Sequence, residues 1–584
     1  MSDVWYGTSG PRNARIAIVG EAWGSSEQMA KQPFVGASGQ ELTRMLTEAG
    51  IDRNACFITN VLPMQPPGNN LWTQFNKPKE HIGPVFHGLH PQPHVLLALG
   101  HLMQQLHEVQ PDLIIAAGNY AMWALSTHAS IANGKDDKGK STGIKVPAGI
   151  MNWRGSQTYT NGISGNGGGV PLLPIIHPAA ILRQWDLRAV TVHDLKTRVP
   201  KALTGNPAHW AAPHRDYLAP PTYVETITFL SDILDALAER EVIIAVDVET
   251  KAPLLVCIGI APTTNLAISI PFLKVRPDLT LTSYWKFTQE AHILQLLQKI
   301  FLHRNCKVVG QNFIYDTQYI ETEMGVTPPL FYDTMLGQHL LFPGTPKGLD
   351  YLSSLYCDHH LYWKEDGKDW HLKDDLASQL RYNGLDCMKT LECFYEQDEL
   401  LDSMNMRHLW QEELDKNTLA LDMMRRGVKI DLQVRAKMRF ELMQQQSAIQ
   451  EELLKMIPQE FVNELGGDAF WFRSSTKTKY ILYDFLGLRR IKSRKTGEDS
   501  TGKEALAELS EAYPRLRRMF DLLGALRSVG VFQSNFVLKP LEPLTNRMVC
   551  SFNPAGTETF RWSSSENAYG RGTNLQNIPS GNEE

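Results

Sequence analysis

VIIAVDVET, residues 242–250, is a run of apolar side chains that ends on two acids. The apolar stretch from Val242 to Val246 reads as a buried strand. Alternation along a strand puts residues two apart on one face, so Asp247 and Glu249 point the same way. Two carboxylates at the end of a buried strand lose more hydration than packing returns unless a cation neutralises them. A divalent metal is the expected partner. VGQNFIYD adds Asn312 and Asp316, and YNGLD adds Tyr382 and Asp386. Each pair is four residues apart, so in helical segments each pair would share a face and lean over one site. Oxygen ligands without His or Cys select Mg²⁺ or Mn²⁺ over zinc. Two such ions, typically about 4 Å apart, would activate a water on one side of a phosphodiester and stabilise the leaving oxygen on the other. Any one of these acids alone reads as a helix cap or a solvated surface group. The ordered set points to hydrolysis of a nucleic-acid backbone.

DVET, QNFIYD and YNGLD, with YDTMLGQHLL between the last two, resemble the proofreading 3′–5′ exonuclease domain of family A DNA polymerases over residues 223–404. The resemblance implies an RNase-H-like α/β fold acting on single-stranded 3′ ends of DNA. It implies that Asp247, Glu249, Asp316 and Asp386 hold two Mg²⁺ or Mn²⁺ ions while Tyr382 orients the attacking water. All five residues are present, which implies an active domain.

Upstream, RIAIVGEAWG (residues 15–24) reads as a strand and a Gly-bearing turn, and PDLIIAAGNYAMWAL repeats strand, turn and helix about a hundred residues later, an α/β order. Ligands in such sheets sit outside the carboxyl ends of the strands. Glu21, Phe34, Asn60 and His177 each come just after an apolar run and could converge there. These types suit excision of a flipped base: a ring to stack on it and an Asn to pair with its edge, fitting uracil better than cytosine. A neutral His could stabilise the leaving base anion and a carboxylate could position water at the sugar.

GEAWGSSE, PFVGASG, ITNVLPMQPPGNN and HPAAILR resemble the uracil-DNA glycosylase superfamily, nearest the bacterial type with a GEAPG motif, across about residues 14–200 of a domain expected over 1–205. The resemblance implies an α/β/α sandwich. It places Glu21 and Glu27 near the water, Phe34 in stacking, Asn60 in pairing and His177 against the anion, with Ala179 to Arg183 pushing into the duplex. Trp23 departs from the usual Pro. The four cluster cysteines of that type are absent, with only Cys56 in the region and Met64–Gln65 where a ligand belongs, so no iron–sulfur cluster is expected. A DNA-binding module that kept the fold without the chemistry is the competing reading.

TGNPAHWAAPHRDYLAPP, around 204–221, is rich in Pro and Ala and reads as a linker (206–222) between independently packed units. Residues 131–170, rich in Gly, Ser, Asn and Lys, read as a mobile surface loop. From LALDMMRRGVKID onward, long amphipathic helices predict a mostly helical region. This part resembles a family A polymerase thumb over 405–540 and the start of a palm over 541–584, where GTETFRWSSSENAYGRGTNLQNIPSG parallels TxTGRLSS…NLQNIP. The resemblance makes Arg561, Asn574 and Gln576 the residues that approach primer–template duplex, with Phe560 at the usual Gly and Trp562 at the usual Leu. Between Arg473 and Lys503 nine basic residues, Lys492, Arg494 and Lys495 among them, face three acids, a local +6 expected to grip the phosphate backbone. No DYSQIE-like segment occurs, so this polypeptide alone is not expected to extend a primer; a second chain carrying palm and fingers is the expected supplement. The combination suggests a bacteriophage-type replicative enzyme. A scanning subunit with an end-trimming nuclease is the alternative.

With 584 residues, 43% hydrophobic and 21% charged, the chain is ordinary globular material. At about 100 to 200 residues per domain it should hold three or four. A net charge of −5 excludes a whole-surface nucleic-acid binder, so DNA contacts must be local. Seven scattered cysteines without CxxC suggest neither a disulfide framework nor zinc. No signal sequence and no apolar run near the ~18 residues of a membrane span appear, so a soluble protein of the bacterial or infected-cell cytoplasm, without a membrane partner, is expected.

Overall fold

Two sheets position the candidate sites, and both lie in one compact body. In the computed structural model, which describes residues 3–80, 83–135, 141–162, 169–276, 278, 280–365, 375–458, 470–493 and 497–578, the chain forms two units, Met1–Leu414 and Asp415–Glu584.

The head contains β1 (Ile16–Ala22), β2 (Cys56–Leu62), β3 (Leu113–Ala117), β4 (Ser130–Lys135), β5 (Ser141–Ala148), β6 (Thr158–Tyr159) and β7 (Pro171–Ile175). Its sheet runs β2-β1-β3-β7-β6, the first four parallel and β6 antiparallel to β7. The parallel strands are buried on both faces, which is why they read as continuous apolar runs rather than alternating ones. Helices Ala37–Glu48 and Leu187–Leu203 pack Leu42, Met45, Leu195 and Val199 on one face. Helices Pro93–Val109 and Asn119–Leu125 pack Leu99, Leu102, Met122 and Trp123 on the other. The head is an α/β/α sandwich.

Two expectations for this region fail. Residues 131–170 are not a surface loop: β4 and β5 pair as a hairpin, and a short helix Ile150–Trp153 and β6 come after it. Ile144, Ile150 and Trp153 are buried in the head core, and these few apolar anchors override the surrounding Gly and Ser; residues 136–140 and 163–168 lie outside the described part. Residues 206–222 are not a free linker either. Trp210 is buried in the head and donates from its indole to the Thr158 carbonyl at 2.7 Å. Shortly after, β8 (Asp216–Leu218) joins the next sheet as an edge strand parallel to β11 (Leu266–Pro271).

That second sheet has the order β15-β14-β9-β10-β11-β8, with β9 (Val242–Lys251), β10 (Leu254–Thr263), β14 (Cys306–Gly310) and β15 (Leu330–Asp333); β12 (Leu273–Val275) and β13 (Leu281–Ser283) form a separate hairpin. The apolar run of VIIAVDVET is β9, antiparallel to β10 and parallel to β14. Helix Leu376–Ser403 lies across the sheet on a buried stripe that includes Leu380, Asn383, Cys387, Leu391 and Phe394, spaced three or four apart. Gly259, opposite Asp247, permits this approach: a Cβ there would stand 2.5 Å from Asn383 and 2.6 Å from Cys387.

In the second unit, helices Leu432–Lys455, Lys503–Ala512 and Arg517–Phe532 enclose Leu453, Trp471, Leu509 and Leu523. The basic run is more neutral than its composition suggests. Arg489 pairs with Glu508, Arg490 with Asp484 and Asp499, and Lys492 with Asp499 at 2.7 Å. Asp484 and Asp499 are two of the run's own three acids, and folding adds Glu508 from the next helix, which a count along the run misses. Arg494 and Lys495 lie outside the described residues. Among the described residues no helix is long and apolar enough to cross a membrane.

Candidate active sites

Asp247 and Glu249 share a face of β9, and helix Leu376–Ser403 brings Asp386 to them. One carboxylate oxygen from each lies within 4.8 Å of the other two. Asp316, in the first turn of helix Ile314–Met324, accepts the Val248 N–H at 2.7 Å and so is tied to the strand between the two acids. Tyr382 sits one turn before Asp386 on the same helix. Asn312 differs from expectation. It precedes the helix at φ 56° and does not share a helix face with Asp316. Buried Asp333 dictates this turn, accepting the N–H groups of Asn312 (3.1 Å), Phe313 (2.8 Å) and Met335 (2.8 Å).

Burial, reinforced by Asp386, pushes the Asp247 carboxyl up to about 7. Burial and the neighbouring carboxylates also raise Glu249 and Asp316. Such acids hold protons because water is excluded and like charges crowd together. An all-oxygen, anionic donor set under that strain fits hard divalent cations.

Side chains that sequence reasoning missed complete the site. Asn383 donates to Asp247 Oδ2 at 2.8 Å and accepts from Ser269. The Trp363 indole donates to Asp386 Oδ1 at 2.6 Å, while Lys364 pairs with Asp386 Oδ2 and donates to the Tyr382 hydroxyl at 3.0 Å. Asn383 lies inside YNGLD, where a polar residue on a buried helix stripe was an available signal. Trp363 and Lys364 lie in an aperiodic segment that offers none.

In the head, the carboxyl ends of four parallel strands surround a cavity of about 460 Å³ lined by Glu21, Trp23, Phe34, Asn60, His177 and Arg183, among others. His177 stands just beyond β7 and caps the next turn, its Nδ1 accepting the Ala179 N–H at 3.1 Å. That bond leaves the ring proton of the neutral form on Nε2. Burial lowers the His177 pKa, so the ring is neutral. Phe34 stacks on it at 5.8 Å between centroids, and is held at φ 52° while Arg53 donates to its carbonyl at 2.9 Å. Asn60 is 5% exposed, and its Oδ1 has no hydrogen-bond partner among the described residues. Gly20 leaves room for both: a Cβ there would meet Asn60 Nδ2 at 2.5 Å and the Phe34 ring at 2.6 Å.

Glu21 accepts the Tyr120 N–H at 3.2 Å at the cavity wall. Glu27 also lines the cavity, but its two oxygens accept the N–H groups of Gly24 (3.2 Å) and Gly36 (2.7 Å), bracing the loops that carry Trp23 and Phe34. Trp23 is buried against Tyr6, and its backbone N–H donates to the Met64 carbonyl at 3.3 Å. Gln28 accepts the Gln65 N–H at 2.9 Å, so direct hydrogen bonds join the segments 23–28 and 64–65.

In the second unit Asn574 accepts from Ser564 and from the Gln576 N–H, and Gln576 donates to the Trp562 carbonyl at 3.1 Å. These amides fasten the 563–565 strand to the turn at 574–577, with Arg561 exposed beside them. Phe560 adopts φ 60°, the left-handed backbone that the usual Gly would take there.

A family model described as "Uracil DNA glycosylase superfamily" matches residues 7–197, "3'-5' exonuclease" matches 221–401, and "DNA polymerase family A" matches 440–584. The type-4 uracil-DNA glycosylase of Pyrobaculum aerophilum is 32% identical over 187 residues, covering 31% of this chain and 74% of that protein. The Thermotoga maritima type-4 enzyme is 29% identical over 190 residues, 32% of this chain and 77% of the other. DNA polymerase I of Borreliella burgdorferi is 24% identical over 298 residues, half of this chain, and the chain spans 31% of that polymerase's length. The chain thus belongs to the uracil-DNA glycosylase superfamily by its head, while its nuclease sheet and its second unit match the models of the 3'-5' exonuclease and of DNA polymerase family A.

Proposed function

We propose that this chain serves DNA replication by removing nucleotides from 3′ ends of DNA and by excising uracil from it, using two separate sites in its first unit. The observation that carries the nuclease reading is the meeting of Asp247, Glu249 and Asp386 around one point, with Asp316 tied to the strand between the first two. When bound there by these four acids, two Mg²⁺ or Mn²⁺ ions supply an activated water and neutralise charge at the leaving oxygen. The protein does the rest by positioning. Asn383 fixes the Asp247 carboxylate. Burial pushes the Tyr382 phenol up, so it stays protonated; since its oxygen accepts from Lys364, its proton is available to orient a water or a phosphate oxygen.

The unpartnered Asn60 Oδ1 supports uracil as the base the head takes. It can accept the imide N–H, which cytosine lacks, while the amide donates to the neighbouring carbonyl. The base would stack on Phe34, and the Nε2–H of neutral His177 would donate to the base oxygen as the glycosidic bond breaks and the base becomes an anion. Glu21 would hold the incoming water. In the second unit, Arg561 and its surroundings would lie against primer–template duplex.

Two assays on the full chain test this. A 5′-labelled single strand in magnesium or manganese buffer should shorten from its 3′ end, and an intact strand removes the nuclease reading. A uracil-bearing oligonucleotide treated with alkali should break at uracil. Breakage no greater than with His177→Ala removes the glycosylase reading.

A further inference from the structure

The exonuclease site is finished by a segment that the head holds. Residues 357–365 leave helix Leu349–Tyr356 and run along the head before turning into the nuclease. Arg198, buried in the head, donates to the carbonyls of Ser354 (3.0 Å), Cys357 (3.1 Å) and Asp358 (2.6 Å). The Gln157 N–H donates to the His360 carbonyl at 2.7 Å, and the Tyr362 N–H donates to Ser156 Oγ at 3.2 Å. Trp153 packs edge-on against the Tyr362 ring at 5.2 Å, and Asn152 donates to its hydroxyl at 3.3 Å.

The next two residues enter the metal-ligand cluster. Trp363 takes one oxygen of Asp386 and Lys364 the other, and Lys364 also takes the Tyr382 hydroxyl. Each carboxylate oxygen offers more than one acceptor direction, so these bonds orient Asp386 while leaving directions open to a cation. The Lys364 ammonium also lies 4.9 Å from the Tyr382 ring centroid, at the hydroxyl end of the ring. Helix Leu376–Ser403 alone cannot do this. It sets where Asp386 and Tyr382 start, but not how their terminal atoms turn.

We propose that Trp363 and Lys364 are positioning residues of the exonuclease, and that the glycosylase-like head is the brace that sets them in place. The inference rests on the exonuclease reading above and adds a dependence of the nuclease on a domain built for other chemistry. Outer partners of metal ligands typically control about 10- to 100-fold of affinity or rate.

The test uses the full chain with the variants Lys364→Met, Lys364→Arg, Trp363→Phe and Tyr362→Leu. Binding of Mn²⁺ alone, followed by electron paramagnetic resonance, is read beside kcat and KM on a single strand. Lys364→Met should lower kcat about 10- to 100-fold with KM little changed, without weakening Mn²⁺ binding, because a positive charge leaves the site. Lys364→Arg should restore most of the rate. Trp363→Phe should weaken Mn²⁺ binding about tenfold or more through a misaligned Asp386. Tyr362→Leu, which touches the nuclease site only through the segment the head holds, should shift kcat in the same direction by less, with uracil excision intact. An unchanged kcat in both Lys364→Met and Trp363→Phe overturns the proposal. A raised kcat in Lys364→Met overturns it too, since the lysine would then be a plug. Loss of rate in Lys364→Met that arginine does not rescue assigns a merely structural role and counts against it. A wild-type chain that neither binds Mn²⁺ nor shortens the strand sinks the exonuclease reading itself, a result distinct from any difference between variants.

Discussion

The two pockets of the first unit use burial in opposite ways. Around Asp247 the fold gathers acids where water is scarce, and both burial and mutual repulsion raise their proton affinity. Around His177 burial pushes the ring toward neutrality, and the one free proton is aimed by the Ala179 N–H bond on the opposite nitrogen. The first pocket stores unfavourable charge that a cation relieves. The second keeps charge out, so that in the proposed excision a single hydrogen bond would count for more as the base becomes an anion. Low dielectric is common to both, and the residue types decide which use is made of it.

Asp386→Ala should break the first pocket alone. Losing a ligand forfeits several kcal/mol of charge stabilisation, about a thousand-fold in rate at roughly 1.4 kcal/mol per decade. Strand shortening, measured on labelled single strands, should fall by that factor while uracil excision stays at the wild-type rate. His177→Ala is the converse. One donor to a developing anion is worth about 10²- to 10³-fold, so alkali-revealed breakage should fall that far with digestion unaffected. A variant in either set that moved both activities equally would end the picture of two independent chemistries.

What could be read in advance divides along the same lines. Positions two apart on β9 and four apart on helix Leu376–Ser403 were legible because periodicity alone puts Asp247 with Glu249 and Tyr382 with Asp386. The head's Glu21, Asn60 and His177 were legible because each ends an apolar parallel strand. Asn312 was misplaced because its conformation is set by Asp333, a partner about twenty residues away whose role no local pattern reveals. Trp210 and β8 were hidden by Pro and Ala around them, since composition describes a segment's average and one buried indole outweighs it. Lys364 is the hardest case. It lies in a segment without periodicity that bonds both to the head and to helix Leu376–Ser403, so only the folded chain shows it beside Asp386.

A smaller effect sharpens the role of the missed residues. Asn383→Ala leaves every acid in place but frees the Asp247 carboxylate to rotate and leaves the Ser269 hydroxyl without its acceptor. Mn²⁺ affinity should drop about 10- to 100-fold, read by titration of the metal, with uracil excision again unchanged. An affinity equal to wild type would mean that Asp247 is held by packing and that Asn383 is a bystander.

The smallest effect separates the pockets by sign rather than by size. A carboxyl raised in the folded state binds more protons there than in the unfolded chain, so its contribution to stability is present at low pH and lost as pH rises through the folded value. For Asp247, raised to about 7 from 3.8, that loss runs from the lower of these values up through the higher, that is, from acid to neutral solution. A buried histidine acts oppositely: below its ordinary 6.5 the unfolded chain takes up a proton that folded His177 refuses, and stability falls as pH drops. The two groups therefore pull the melting temperature of metal-free protein in opposite directions across the same acid-to-neutral window, and each partly masks the other. Asp247→Asn should remove the part that falls with rising pH and leave the histidine's rise exposed, and His177→Gln should do the converse. Added Mg²⁺ should raise melting most at and above neutral pH, because cations bind the deprotonated acids and so stabilise the fold where the protons have left. If Mg²⁺ instead raised melting equally at all pH values, the cation would be binding somewhere other than the raised carboxylates, and the contrast between a pocket that stores charge and one that excludes it would have no thermodynamic trace.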